Sequence, residues 1–388
     1  MTLSPFIYDQ PVTGKNFVGR RQDLAALTNL FTAGENVVLV AAPKSGKTSL
    51  VRQVFLDMKV TGTSFVPASV SLLGVRSLGD FISVWGDGIL RAVAYTPDEY
   101  ADEIAANLEG SCFRFDQDNF SASDRILGVE GVCGTDDLRA LIALPRKIAL
   151  RRGLRIYVVL DEFQNIEFIP EADSIFRALE AEMSLIASEG LRTSISFVIS
   201  GSKINAMREL LGTRHTFSPL VEQYFLPPVT AKEISDHIVK GLLSSGKVIE
   251  EEMLAGICNR FRNNIWYIEH FAGIMDHLSR GYVTEPVLME ALSMIIAIHE
   301  DRFRSMMYDL TNYQVSLLKA VLDGHTKLSS AEVIEGYGLN SSANVKRLRE
   351  ALMKKEIITI DEKDHPIIID PLFEYWVRKY FFKMELAD

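Results

Sequence analysis

Cysteine is scarce in this chain of 388 residues: Cys112, Cys133 and Cys258 are odd in number and widely scattered, with no paired spacing for zinc or disulfides. That argues against a disulfide-stapled secreted domain, and a reducing cytoplasm is the expected compartment. Long apolar runs are also lacking. Met1 to Asn16 carries no apolar signal core, and the longest apolar runs are far shorter than a bilayer span, so no membrane partner is expected. Positive charge is in deficit: 41 Lys and Arg against 51 Asp and Glu give a net charge of -10 and a pI near 5.4. Generic polyanion binding is thereby disfavoured, although a local basic face remains compatible with it. The length suits two or three domains, at about 100–200 residues each.

What is present begins with Ala41-Ala42-Pro43-Lys44-Ser45-Gly46-Lys47-Thr48-Ser49, which follows the apolar stretch Asn36 to Val40 and precedes the helix-like Leu50 to Met58. A strand, a turn rich in small residues and a helix start form the context of a phosphate-binding loop. In such a loop the backbone N–H groups and the positive end of the helix surround the β-phosphate. Lys47 reaches the β and γ oxygens, and the Thr48 hydroxyl ligates a metal. ATP or GTP with Mg2+ is the implied ligand. Pro43, Lys44, Ser45, Gly46, Lys47, Thr48 and Ser49 are the candidate nucleotide-binding residues. The usual pattern opens with glycine where this chain has Ala41, and a methyl group at a position with φ > 0 is expected to cost about 1 kcal/mol.

The second motif is Arg155-Ile156-Tyr157-Val158-Val159-Leu160-Asp161-Glu162, a run of β-branched and aromatic residues closed by adjacent carboxylates. Asp161 is placed to hold Mg2+ through its water shell. Glu162 is placed to orient and deprotonate the water that attacks the γ-phosphate, which makes Glu162 and Lys47 the candidate catalytic pair.

Periodicity organises the rest. A short helix ends near Phe31, strands are expected at Ser64 to Val70, Ser194 to Ser200 and Gln223 to Leu226, and a helix at about Glu171 to Glu189. An insertion at about 72–152 opens with a helix whose Leu78, Phe81, Ile82, Trp85, Ile89 and Leu90 share one face, read as core. It passes through an irregular stretch rich in Asp, Ser and Gly at Phe113 to Thr135, and resumes as a helix at Asp136 to Arg151. These elements predict an α/β fold with a five-stranded, mostly parallel sheet covered on both faces, its ligand at the strands' carboxyl edge. Beyond Pro228 the pattern turns helical. Thr230 and Glu233 form a capping box, and further helices are expected at about Glu250 to Phe261, Trp266 to Gly281 and Glu285 to Tyr308. The last segment predicts three short helices, Asn312 to Leu322, Ser330 to Glu335 and Ser341 to Lys355, then a hairpin around Asp361 to His365, which together describe a winged helix. The expected domains are thus 1–228, nucleotide-binding; 229–308, a helical lid; and 309–388, a winged helix.

Phe17-Val18-Gly19-Arg20, the phosphate loop, Leu160-Asp161-Glu162-Phe163, Ser200-Gly201-Ser202, the helical lid and Asp370-Pro371-Leu372-Phe373-Glu374-Tyr375-Trp376 occur in that order. As a set they resemble the prokaryotic and archaeal-type ATPases of the signal-transduction (STAND) branch of the AAA-plus superfamily, relatives of the origin-recognition ATPases. The resemblance implies ATP as ligand and substrate, with the acidic strand beside the phosphate-loop strand. It implies that Val18, Gly19 and Arg20 lie near the adenine, and that Ser200 or Ser202 senses the γ-phosphate. Where the family's lid presents a Gly-Asn-Pro-like turn to the nucleotide, this chain has Asn263-Asn264-Ile265-Trp266, with Asn263 and Ile265 the matching contacts and a looser fit expected. The family's Gly-Arg pair before the fifth strand is replaced by Ser218-Pro219-Leu220-Val221-Glu222-Gln223. Arg208 and Arg214 are the nearby arginine candidates, and slow hydrolysis is expected.

The function read from these features is a slow ATPase working as a nucleotide-dependent switch, with a winged-helix output to a protein partner or to other copies of itself. The alternative is an ATP-gated DNA-binding regulator or mobile-element helper. On the third winged-helix helix, Lys346, Arg347, Arg349, Lys354 and Lys355 are expected to face out toward phosphates, whereas Asp361-Glu362-Lys363-Asp364 at the wing is acidic and would repel them.

Overall fold

In this computed structural model the described residues are 4–214 and 217–385. They form two compact units that cut across the linear boundaries expected from the sequence: one contains Arg21–Ala41 and Gln53–Leu226, the other the chain up to Arg20, Ala42–Arg52 and the chain from Pro227 onward. The phosphate-loop segment therefore belongs to the same unit as the lid and the winged helix.

The first unit is built on strands β1 (Val37–Val40), β2 (Val66–Ser71), β5 (Ile156–Asp161), β6 (Ile195–Gly201) and β7 (Glu222–Phe225), with a small hairpin of β3 (Phe113–Arg114) and β4 (Gly128–Val129) in the insertion. The large sheet has the order β2-β5-β6-β1-β7, and every pairing in it is parallel. The expected five-stranded parallel sheet is met, but the acidic strand is not beside the phosphate-loop strand as expected: β5 pairs with β2 and β6, and β6 stands between it and β1. Burial explains the composition: all of β1 and all of β6 are buried, as central strands covered on both faces must be, while β7 at the edge is largely exposed. Each Val or Ile side chain removed from water in this way contributes about 1.5–3 kcal/mol.

The insertion departs from the sequence reading in one element. The helix Leu78–Val93 starts at the capping box of Ser77 and Asp80 and buries Phe81, Trp85 and Ile89, as expected. A further helix, Pro97–Leu108, was not anticipated. Its inward face carries Glu103 and Asn107, which interrupt the apolar stripe, and Glu103 is instead held by ion pairs with Arg151 and Arg152. Its start was nonetheless marked in the sequence by Thr96 as N-cap, Pro97 at the first turn and the acids Asp98 and Glu99. The expected single helix from Asp136 is two, Thr135–Ile142 and Leu144–Arg152, with Pro145 opening the second.

In the second unit, the all-helical segment expected as a lid consists of Ala231–Ser244, Glu251–Arg260, Ile265–Leu278 and Glu285–Tyr308. The winged helix follows as Asn312–Leu322, Ala331–Gly336 and Ser342–Lys354, then the hairpin of β8 (Ile358–Ile360) and β9 (Pro366–Ile368), and a closing helix Pro371–Trp376. Val345, Leu348 and Leu352 point inward from the third of these helices. Among the described residues, no helix is long and apolar enough to cross a membrane.

Candidate functional site

The phosphate-loop segment turns through two left-handed residues, Lys44 (φ 60°) and Gly46 (φ 87°), and enters the helix Lys47–Val60. Ala41 is not among the left-handed residues, so the strain expected there does not arise. Lys47 is buried and its ammonium donates to the Ala42 carbonyl at 3.0 Å. The Ser45 hydroxyl is buried without a hydrogen-bond partner among the described residues. Ser49 accepts from the backbone N–H of Val12 at 3.1 Å, which fastens the N-terminal segment to the helix start.

Residues distant in sequence hold this loop. The buried Arg20 guanidinium donates to the Ser45 carbonyl at 2.9 Å and to the Pro227 carbonyl at 2.8 Å. Its backbone N–H donates to Glu233 at 3.0 Å, so the acid of the Thr230 capping box also anchors the Gly19-Arg20 turn. Gly19 is required there: its φ is +61°, and a Cβ would stand 2.4 Å from the Glu233 carboxyl carbon. Arg20, expected beside the adenine, thus has its side chain engaged with backbone carbonyls.

The lid turn does meet the loop. Arg262 and Asn263 are left-handed, and Asn264 caps the helix Ile265–Leu278 through its bond from the Tyr267 N–H while its amide donates to the Pro43 carbonyl at 3.4 Å. Ile265 lies over Gly46, its Cγ2 3.7 Å from where a Cβ of that glycine would be. The looser contact expected without a Gly-Asn-Pro turn is thus offset by Asn264, a residue the sequence reading passed over in favour of Asn263.

From the loop a chain of contacts reaches the winged helix. The Lys44 ammonium sits 3.1 Å from the ring centroid of Trp266. Burial and then the charge of Arg302 bring its pKa down to about 8, with Asp370 opposing. Asp370 accepts from the Tyr267 hydroxyl at 2.8 Å and from Arg302 at 2.7 Å, and also caps the closing helix through Leu372 and Phe373 N–H. Arg262 pairs with Glu374 and donates to the Ile368 carbonyl at 2.6 Å. The Asp370-Pro371-Leu372-Phe373 run owes its composition to this: an N-cap acid, a first-turn proline, and two side chains buried completely. Around Trp266 lie Tyr8, His270 and His299, the last with its pKa lowered to about 4 by burial, Arg302, Lys44 and His270.

The acidic strand end belongs to the sheet unit and is assembled there. Ser200 Oγ donates to Asp161 at 2.7 Å and Ser202 Oγ to Glu162 at 2.6 Å, so both serines bond the carboxylates. Gln164, missed by the sequence reading, also donates to Glu162 at 2.6 Å. Glu162 itself is left-handed at φ 57°, which ends the extended backbone of β5 and opens the short helical turn Phe163–Phe168. A side chain at Gly201 would place its Cβ 2.4 Å from Gln164 Oε1 and 2.5 Å from Met207 Sδ, so the glycine admits this close packing. Arg208 is exposed on the helix Ile204–Glu209 after β6. The side chain of Arg214 lies outside the described residues.

On the winged helix, Lys327, Lys346, Arg349, Lys363 and His365 line a cavity of about 620 Å³ with Ser330 and Asp364. Acids of the wing are engaged locally. Asp361 is folded into the turn, accepting from the N–H groups of Lys363 and His365, and Asp364 lies 3.9 Å from Arg349.

The fold is that of a P-loop ATPase with an all-helical segment and a C-terminal winged helix. A family model described as a probable winged helix domain matches residues 301–379. Among solved structures the chain is similar to the Walker-type ATPase of Pyrococcus abyssi, with 12% identity over 96% of this chain and 99% of that one, at a TM-score of 0.66. It is also similar to the ORC2 protein of Aeropyrum pernix, solved as ADPNP-ADP complexes, with 15% identity over 94% of this chain and 93% of that one, at a TM-score of 0.58. Among curated proteins none matches.

Proposed function

We propose that the chain binds ATP with Mg2+ and hydrolyses it slowly, working as a nucleotide-dependent switch of the STAND type whose output is the winged helix. The observation that carries this reading is the phosphate loop itself: a turn with left-handed Lys44 and Gly46 at a helix start, and a buried Ser45 hydroxyl without a hydrogen-bond partner among the described residues. That donor set fits an oxygen-rich anion. Backbone N–H groups of Ser45 to Ser49 and the Lys47 ammonium would hold the phosphates, Lys47 exchanging its bond to Ala42 for a phosphate oxygen. Thr48 and Asp161 would hold Mg2+, which when bound screens the phosphate charge. Glu162, positioned by Ser202 and Gln164, would take the proton of the attacking water, and a γ-phosphate within reach of either serine would compete for its hydroxyl.

The switch reading draws on the contacts from Lys44 through Trp266 to the Tyr267, Arg302 and Asp370 cluster. A change in the loop has a physical route to the winged helix within one compact unit. Residues 1–228, 229–308 and 309–388 are proposed as nucleotide-binding, lid and output segments on this basis. Slow turnover is expected because Ser218 to Gln223 stand where the resembled family carries its Gly-Arg pair, which leaves Arg208 and Arg214 as candidates, and an arginine supplied at the transition state is worth about 10³–10⁵ in rate. Glu162→Gln should lower phosphate release by about 10²–10⁴-fold while calorimetry still detects Mg-ATP, and Lys47→Ala should abolish the binding heat. Retained turnover in Glu162→Gln, or single turnover of the unaltered protein faster than about 10 per second, would contradict this reading.

The basic groove of the winged helix favours a second reading, a DNA-contacting output in place of a protein or a second copy. Anisotropy with random duplex DNA separates the two. Affinity that falls steeply with salt supports DNA, and no binding at low salt supports the protein-directed switch.

A further inference from the structure

Cys112, Cys133 and Asp137, far apart as sequence motifs go, are brought together in the insertion: the two Sγ atoms and a carboxylate oxygen all lie within 4.8 Å of one another. We propose that they form a binding site for a thiophilic divalent cation of the zinc class, with water completing the coordination. The frame is built before any ion arrives. Asp137 sits in the first turn of the helix Thr135–Ile142 and accepts from the N–H groups of Gly134 at 2.8 Å and Cys112 at 2.9 Å. The Cys112 carbonyl accepts from Glu130 N–H at 2.8 Å, extending the β3–β4 pairing, so its backbone is fixed on both sides. Next to it, Phe113 is buried in the core, which stops the hairpin from sliding.

The dimensions suit a metal. Tetrahedral zinc with bonds of about 2.3 Å to sulfur and about 2.0–2.2 Å to oxygen needs ligand separations of roughly 3.5–3.8 Å, within a small side-chain adjustment of those found. A disulfide instead requires sulfurs about 2.05 Å apart and makes no use of the carboxylate. All three residues are partly exposed, so an ion can enter. The spacing of 112, 133 and 137 hid the site, because the hairpin, not a short local loop, brings the first ligand to the other two. A bound ion would staple the stretch between Phe113 and Gly134 to the helix at Thr135.

The test uses the full chain, reduced, freed of metal with a chelator and titrated anaerobically with Co2+ and then Zn2+. One equivalent of Co2+ should produce thiolate-to-cobalt charge-transfer absorption and tetrahedral d–d bands, which Zn2+ then displaces. Cys112→Ser and Cys133→Ser should each weaken Co2+ binding by at least about 100-fold. Cys258→Ser should leave it unchanged, circular dichroism confirming that each variant is folded. Absence of these bands in the reduced protein would overturn the proposal, as would their persistence when Cys112 and Cys133 are both replaced. Cross-linking of Cys112 to Cys133 by glutathione disulfide, in a protein that takes up no cobalt when reduced, would replace it with a redox pair.

Discussion

The phosphate loop and the acidic strand end are held in opposite ways. The loop relies on residues far away in sequence, Arg20 on one side and Asn264 on the other, and keeps the Ser45 hydroxyl buried without a partner among the described residues. The carboxylates of Asp161 and Glu162 are paired with hydroxyls and an amide from their own strand edge and its neighbour, and their hydrogen bonds are short. On the proposed reading, the region that opens to nucleotide keeps unsatisfied groups and distant supports, and the region that aims two acids is made rigid by its immediate surroundings.

The contrast can be broken most forcefully at Arg20. Arg20→Met removes a buried cation and leaves the Ser45 and Pro227 carbonyls unpaired, and should lower unfolding free energy by about 2–4 kcal/mol in a denaturant titration. Arg20→Lys should recover only part of this, since an ammonium cannot span both carbonyls in one plane. An unchanged midpoint for Arg20→Met would mean that the loop needs no distant brace. On the acidic side, Gly201→Ala should cost about 1–3 kcal/mol by pushing Gln164 and Met207 aside, and thermal melting reads it directly. Equal Tm values for the two proteins would show that this edge is less tightly packed than its distances indicate.

Smaller effects sharpen the comparison. Asn264→Ala removes an N-cap and the bond to Pro43, with an expected loss of about 1 kcal/mol that should be larger when Mg-ATP is present than when it is absent. An equal loss in both conditions would separate the lid turn from nucleotide binding. His299 supplies a pH signature. Its folded-state pKa is depressed to about 4, by burial first and then by the positive charge of Arg302 and Lys44. The unfolded chain therefore takes up a proton near pH 6.5 while the folded chain does not, so its contribution to stability is full above that pH and is lost as pH falls toward 4. His299→Gln should flatten the stability profile across this window by an amount well under the full shift, because the side chain is partly solvated. A profile of unchanged slope would place the acid sensitivity elsewhere.

Much of this was legible in the chain. The long helix Glu285–Tyr308 and the winged-helix helix Asn312–Leu322 fall where periodicity put them, because each buries one continuous apolar stripe or begins at a clear cap. The phosphate loop and the pairing of Asp161 with Glu162 were visible as local motifs. The helix Pro97–Leu108 was not, because the groups it buries include the Glu103 carboxylate, made tolerable by Arg151 and Arg152, and the Asn107 amide, which bonds back to Glu103. Asn264 was passed over because its cap role and its bond to Pro43 depend on a left-handed turn just before it.

By itself, the sequence determined the alternation of strands and helices, the left-handed positions that glycine can fill, and the types of side chain available for phosphate and metal chemistry, since these depend on neighbours within a few residues. Tertiary structure decided which of those side chains meet. It placed the Arg20 guanidinium on the Ser45 carbonyl, brought Ser200 to Asp161, and gathered Cys112 beside Cys133 and Asp137. Contacts of that kind join residues tens to hundreds of positions apart, and nothing in local propensity or spacing encodes the packing that brings them within hydrogen-bonding distance.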